Sequence, residues 1–106
     1  MQTNKDDQEA VVVTEPVVYK INYRLHILYF GGELKVFRAS NFTTEEQLEW
    51  AITTIEVLEK RIMSKTPYGV VPQFLLTDEE YAESYNSVVS LENVQGIYIT
   101  VSEVPQ

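Results

Sequence analysis

The chain has no cysteine, one histidine, and only four glycines and four prolines in 106 residues. Without thiols it forms no disulfide and no thiolate metal site, and it offers no cysteine nucleophile. The lone imidazole, His26, narrows hydrolytic chemistry further. A triad needs a nucleophile, a base and an orienting group, and no serine stands in a Gly-x-Ser-x-Gly turn. His26 falls in mid-strand, where a position over Phe37 or beside solvent accounts for it. The glycines are too few and wrongly spaced for either phosphate-cradling loop, Gly-x-x-x-x-Gly-Lys-Ser/Thr or Gly-x-Gly-x-x-Gly. The acids show no EF-hand spacing. No cofactor and no metal site is therefore expected, and the chain is read as not an enzyme.

Positive charge is scarce as well. Eight basic residues stand against sixteen acidic ones, for a formal charge of −8. Binding DNA or RNA through phosphate neutralisation needs a basic surface, so direct nucleic-acid binding is disfavoured. An anionic membrane would repel the chain, and no apolar run approaches the roughly 18 residues that span a bilayer. The first residues, Met1 to Glu9, lack the basic start and apolar centre of a signal peptide, which makes a cytoplasmic location the expectation. A basic surface on a larger protein would be attracted, including one that normally holds nucleic acid.

What is present is a strong alternation. From Tyr19 to Tyr29 the odd positions carry Tyr19, Ile21, Tyr23, Leu25, Ile27 and Tyr29, while Lys20, Asn22, Arg24 and His26 hold even ones. A period of two denotes a strand with one buried face. This strand is expected over 17–30. Gly31-Gly32 suits a two-residue type I′ hairpin turn, which pairs Tyr29 with Leu34, Ile27 with Val36 and His26 with Phe37. In that register Leu34 and Val36 share the apolar face, and Lys35 joins Arg24 and His26 on the other.

Thr43 and Glu46 have capping-box spacing. Leu48, Ala51, Ile52, Ile55, Leu58 and Ile62 then make an amphipathic stripe reaching about Ser64, with Lys60, Arg61 and Lys65 at the basic end. Thr66 to Pro72 reads as loop, and Gln73 to Leu76 as a short strand. Thr77 and Glu80 repeat the capping box, with Leu76 and Tyr81 as a hydrophobic staple. A second, shorter helix is expected through Tyr81, Ala82, Tyr85, Val88 and Val89. Ile97, Ile99 and Val101 alternate into a last strand near 95–104. The expected fold is α+β: a small, mainly antiparallel sheet of one hairpin plus the C-terminal strand, with a long and a short helix on one face, in the order ββααβ. Residues 1–16 would form a flexible tail or a short edge strand at 10–14, and residues 17–106 a single α+β domain.

Two features bear on function. Acidic side chains run along the first helix at Glu45, Glu46, Glu49, Glu56 and Glu59, and crowd the start of the second at Asp78, Glu79, Glu80 and Glu83. Carboxylates on rigid elements can imitate a row of phosphates; the same pattern also serves as a solubilising surface. Trp50, with Val57 seven residues on, lies on a helix flank offset from the main stripe, packed on the short helix or against another chain. Tryptophan and tyrosine are favoured interface anchors. The reading is a small acidic inhibitor or regulator, of the phage-encoded kind, that covers a basic surface of a larger protein. Its partner-binding residues would be Glu45, Glu49, Glu56, Asp78, Glu79 and Glu83 for charge, with Trp50, Val57 and Tyr85 as apolar contacts. The alternatives are a self-associating assembly protein, for instance a homodimer, and an anion-binding or small-ligand domain around Arg24, His26 and Lys35.

Overall fold

In the computed structural model, residues 19–76 and 82–105 are described. The expected edge strand at 10–14, the tail before it and the second capping box at 77–80 lie outside them. The elements follow in the order β1 (Tyr19–Tyr29), β2 (Leu34–Arg38), α1 (Thr44–Met63), β3 (Tyr68–Leu76), β4 (Ala82–Ser90) and β5 (Val94–Pro105). The class is α+β with antiparallel sheets. The order differs from ββααβ: among the described residues there is one helix, and residues 82–90, expected in a second helix, form a strand.

β1 is the centre of a three-stranded antiparallel sheet in the order β2-β1-β5, and β3 and β4 form a separate hairpin. A parallel bridge, Ala39 to Phe74, joins the hairpin to the end of β2. The β1–β5 ladder runs from Tyr19↔Pro105 to Tyr29↔Val94, with an irregularity between Leu28 and Tyr29.

The β1–β2 register departs from the type I′ expectation by one residue. Leu25 pairs with Phe37, His26 with Val36 and Ile27 with Lys35. The reason lies in the turn. Tyr29 N donates to Glu33 O at 2.8 Å, and Gly32 N to Tyr29 O at 3.0 Å, so Phe30, Gly31 and Gly32 together form the loop. Gly31 and Gly32 both take positive φ, 100° and 97°, which glycine adopts without penalty. A one-residue slip exchanges the two faces of a strand. Phe37 is accordingly 5% exposed, while Leu34 and Val36 are 45% and 40% exposed. Phe37 and Ala39, both buried, share one parity of β2, so this register turns the two inward together.

The capping box of α1 is complete. Glu46 N donates to Thr43 Oγ1 and Thr43 N to Glu46 Oε1. At the other end Thr66 N bonds Arg61 O, Lys65 N bonds Ile62 O, and Lys65 takes φ 60°, a Schellman closure. The buried face differs in rotation from the apolar stripe: it is Gln47, Trp50, Ala51, Thr54 and Leu58. Ile55 and Ile62 pack at its margin, whereas Ile52 is 46% exposed.

Gln47 explains the rotation. β1 is 11 residues long and β2 only 5, so β1 extends beyond its neighbour and leaves main-chain groups unpaired. Gln47 Oε1 accepts from Tyr23 N at 2.8 Å, and its Nε2 donates to Asn22 Oδ1 and to Phe42 O. Thr44 Oγ1 donates to Ile21 O on the same edge. A polar side chain 1% exposed thereby has each polar atom bonded, as burial requires.

β3 occupies part of the expected loop, and Pro72 does not interrupt it. Pro72 O accepts from Trp50 Nε1 at 2.7 Å and Phe74 O from Asn41 N at 3.4 Å. These even-numbered residues turn their polar groups away from β4, so the missing proline N–H costs no ladder bond. Gly69 is needed for close approach: a Cβ there would stand 2.6 Å from Leu58 Cδ2. β4 replaces the expected helix because its residues, Ser84, Tyr85, Asn86, Ser87, Val88 and Val89, are β-formers or weak helix-formers, and β3 supplies a partner along its whole length. Val71 and Val89 are buried from the hairpin, while the cross-strand pair Val70 and Val88 faces outward. Tyr29 OH donates to Ser90 O at 2.7 Å and so ties the sheet to the hairpin. Among the described residues, no helix is long and apolar enough to cross a membrane.

Gln47→Leu should lower the unfolding free energy by about 2–4 kcal/mol, because Tyr23 N–H and Phe42 C=O lose their partner in a buried place. Urea denaturation measures this, and a loss below about 0.5 kcal/mol would remove Gln47 from the account of docking.

Candidate protein-interaction surface

A helix repeats every 3.6 residues, so Glu45, Glu49, Ile52, Glu56 and Glu59 fall in one row. The row lies opposite the buried face of Gln47, Trp50, Ala51, Thr54 and Leu58, and all five of its members are exposed. From Glu45 to Glu59 it extends about 21 Å along the axis. Caps at both ends and docking on β1 hold it rigid. Glu45 and Glu46 sit in the first turn, where the helix dipole favours negative charge.

Two depressions lie along the first half of α1, one beside this row and one upon it. One, about 440 Å³, lies between the helix and β3 and is lined by Phe42, Glu46, Glu49, Trp50, Thr53, Thr54, Pro72 and Phe74. Phe42 and Phe74 stack within it, centroids 4.5 Å apart. The other, about 290 Å³, is lined by Glu45, Leu48, Glu49, Ile52 and Thr53. Glu49 and Thr53 form the ridge between them. Apolar surface thus alternates with carboxylates across three helical turns.

The residues singled out from the sequence divide among different places. Glu45, Glu49 and Glu56 share the outer row. Trp50 is 7% exposed; its indole is a wall of the larger depression and its N–H is bonded to Pro72 O. It packs on β3, and not on the residues expected to form a short helix. Val57, 45% exposed, lies on the Trp50 flank. Tyr85, 47% exposed, stands on β4 opposite Gln73, on the hairpin and not on α1. Asp78 and Glu79 lie outside the described residues. Of Glu83 only the main chain is described, paired with Leu75. Ile52, Leu48, Phe42 and Phe74 are not legible as surface from the sequence: the helical spacing of Ile52 and Leu48 puts them in the apolar stripe, and the Phe42–Phe74 pair depends on a contact across 32 residues of chain. Among the described residues, no three His, Asp or Glu side chains gather to hold a metal ion.

His26 occupies the other face of the sheet. Its ring stacks on Tyr98, centroids 4.9 Å apart and nearly parallel at 6°. Its Nε2 lies 2.6 Å from Thr100 Oγ1. Its partner on β2 is Val36, not Phe37, and Lys35 has moved to the inner face. Arg38 now stands beside Arg24 instead. Burial, with a smaller contribution from the Arg24 charge, lowers the His26 pKa below its ordinary 6.5. Burial, then Glu33, raises that of Tyr29.

Trp50→Phe keeps a ring in the wall but loses the bond to Pro72, and should cost about 1–2 kcal/mol in chemical denaturation. For His26, the unfolded chain binds more protons than the folded one below pH 6.5, so its contribution is complete above that value and lost as the pH falls through the lowered folded pKa. His26→Phe retains the stacking ring without the titration. The stability difference between wild type and His26→Phe should therefore move in favour of the variant as the pH falls below 6.5; a difference constant with pH would exclude a role for the imidazole.

Comparison with protein-family models, with curated proteins and with solved structures finds no match to this chain.

Proposed function

We propose that this protein is a small acidic, non-catalytic protein-binding module, an inhibitor or regulator of the phage-encoded kind that acts in the cytoplasm by covering a basic surface of a larger protein. The observation that carries this reading is the outer row of α1, with Glu45, Glu49 and Glu56 around exposed Ile52 and an aromatic-lined depression on one flank. Apolar area ringed by charge is the usual anatomy of an interface. Arginine and lysine suit it from the partner's side, because their alkyl stems lie on apolar surface while their heads meet carboxylates. A partner that normally grips DNA or RNA would present such groups in a row. Trp50 then supports the wall of the depression, and Ile52 is the apolar contact that projects.

Steering charges act mainly on association and apolar contacts on dissociation. A pull-down from the native host identifies the partner, and surface plasmon resonance measures the rest. Replacing Glu45, Glu49 and Glu56 together by Gln should slow association by about tenfold at low salt and flatten its salt dependence. Ile52→Ser should speed dissociation with little change in association. A partner whose binding ignores both salt and these four positions would overturn the proposal.

Self-association is a second reading, supported by β5. Twelve residues long, it is at the edge of the β2-β1-β5 order, with Val101 and Val104 exposed. Among the described residues no further strand pairs with that edge, and an unpaired edge of that length is a template for another strand. Sedimentation over a range of concentrations separates the readings: a persistent monomer supports the module, and a dimer at every concentration supports assembly.

A further inference from the structure

Arg24 and Arg38 are direct cross-strand partners at the end of the β1–β2 ladder. Like charges placed opposite each other destabilise a sheet pair. No acid of the three strands shares their face: Glu103 is the one acid in β1, β2 and β5, and its pairing with Ile21 puts it on the other side. On its β5 side Arg24 meets Thr100, and Lys20 follows on the same face. In a chain of net charge −8, this cluster is a local reversal of sign.

The two arginines border a cleft of about 80 Å³, formed where β2 ends and α1 begins, and completed by Asn22, Tyr23, Ala39, Ser40 and Gln47. Gln47 Nε2 bonds Asn22 Oδ1 at 3.1 Å, which fixes the Asn22 amide and leaves its Nδ2 for another acceptor. The main-chain amide of Arg38 bonds Gln73 Oε1 at 3.2 Å, which anchors the backbone from which that side chain extends. Arg24, Arg38, Asn22 and Ser40, each with a side-chain donor, thus line one small space.

We infer that the cleft between Arg24, Arg38, Asn22 and Ser40 binds a small oxyanion of the phosphate or sulfate kind. Size selects the ligand class: drug-sized and nucleotide ligands need about 300 Å³ or more, whereas a free oxyanion fits the space. Arginine forks match its geometry and their charge-assisted bonds supply the affinity. The anion also relieves the repulsion between the two arginines, so binding stabilises the fold. This site lies on β1 and β2, apart from the outer row of α1, and does not depend on the proposed partner.

Isothermal titration of the full chain with inorganic phosphate, and separately with sulfate, at constant ionic strength tests the inference. Wild type should show saturable binding. Arg38→Gln should weaken it at least about tenfold. Asn22→Asp, which keeps the oxygen that Gln47 uses while placing a negative charge in the cleft, should abolish it, and it reads the same site should Arg38→Gln fail to fold. Lys60→Gln, which removes the same charge from the far end of α1, should leave binding unchanged. Absence of saturable binding in the wild type, or equal affinity in Asn22→Asp and wild type, would overturn the assignment.

Discussion

The architecture depends on how β1 satisfies the part of its edge that β2 leaves uncovered. β1 outruns β2 by several residues, and bare main-chain groups beneath a packed helix would be costly. Gln47 and Thr44 meet that demand from α1, bonding Tyr23 N and Ile21 O. A side-chain amide suits the task because it donates and accepts at once, and Gln47 uses both capacities. The helix is thereby fixed in position and in rotation about its axis.

That rotation determines everything the helix presents. With Gln47 turned to the sheet, Trp50, Ala51, Thr54 and Leu58 follow it inward, and the row of Glu45, Glu49, Ile52, Glu56 and Glu59 is left outward. Trp50 then finds the carbonyl of Pro72, which β3 can offer because a proline on that edge needs no ladder bond. The same junction shapes the cleft between Arg24 and Arg38, since α1 starts where β2 ends. One buried amide thus lies behind both the acidic outer face and the basic inlet.

Much of this was legible in the residues. The strand at Tyr19–Tyr29, the capping box at Thr43 and Glu46, the helix to about Ser64 and the last strand each carry a periodic or capping signal that local physics enforces. The acids of the outer row were equally visible, since helical spacing alone aligns Glu45, Glu49 and Glu56. What was not legible depended on choices between similar local energies. Phe37 competed with Leu34 and Val36 for the inner face, and a three-residue loop settled the matter. The spacing of Tyr85, Val88 and Val89 fits a helix turn, yet their β-branched and aromatic side chains prefer a strand once β3 offers a ladder.

The order of charge, the alternation of β1 and the caps of α1 belong to the sequence by itself, because each arises from neighbours a few residues apart. The tertiary structure alone decided that Ile52 faces out and Trp50 in, that Arg38 and not Lys35 stands beside Arg24, and that residues 82–90 pair as a strand. Each of these turns on a contact between segments distant in the chain, where a buried hydrogen bond or a single-residue slip outweighs local preference.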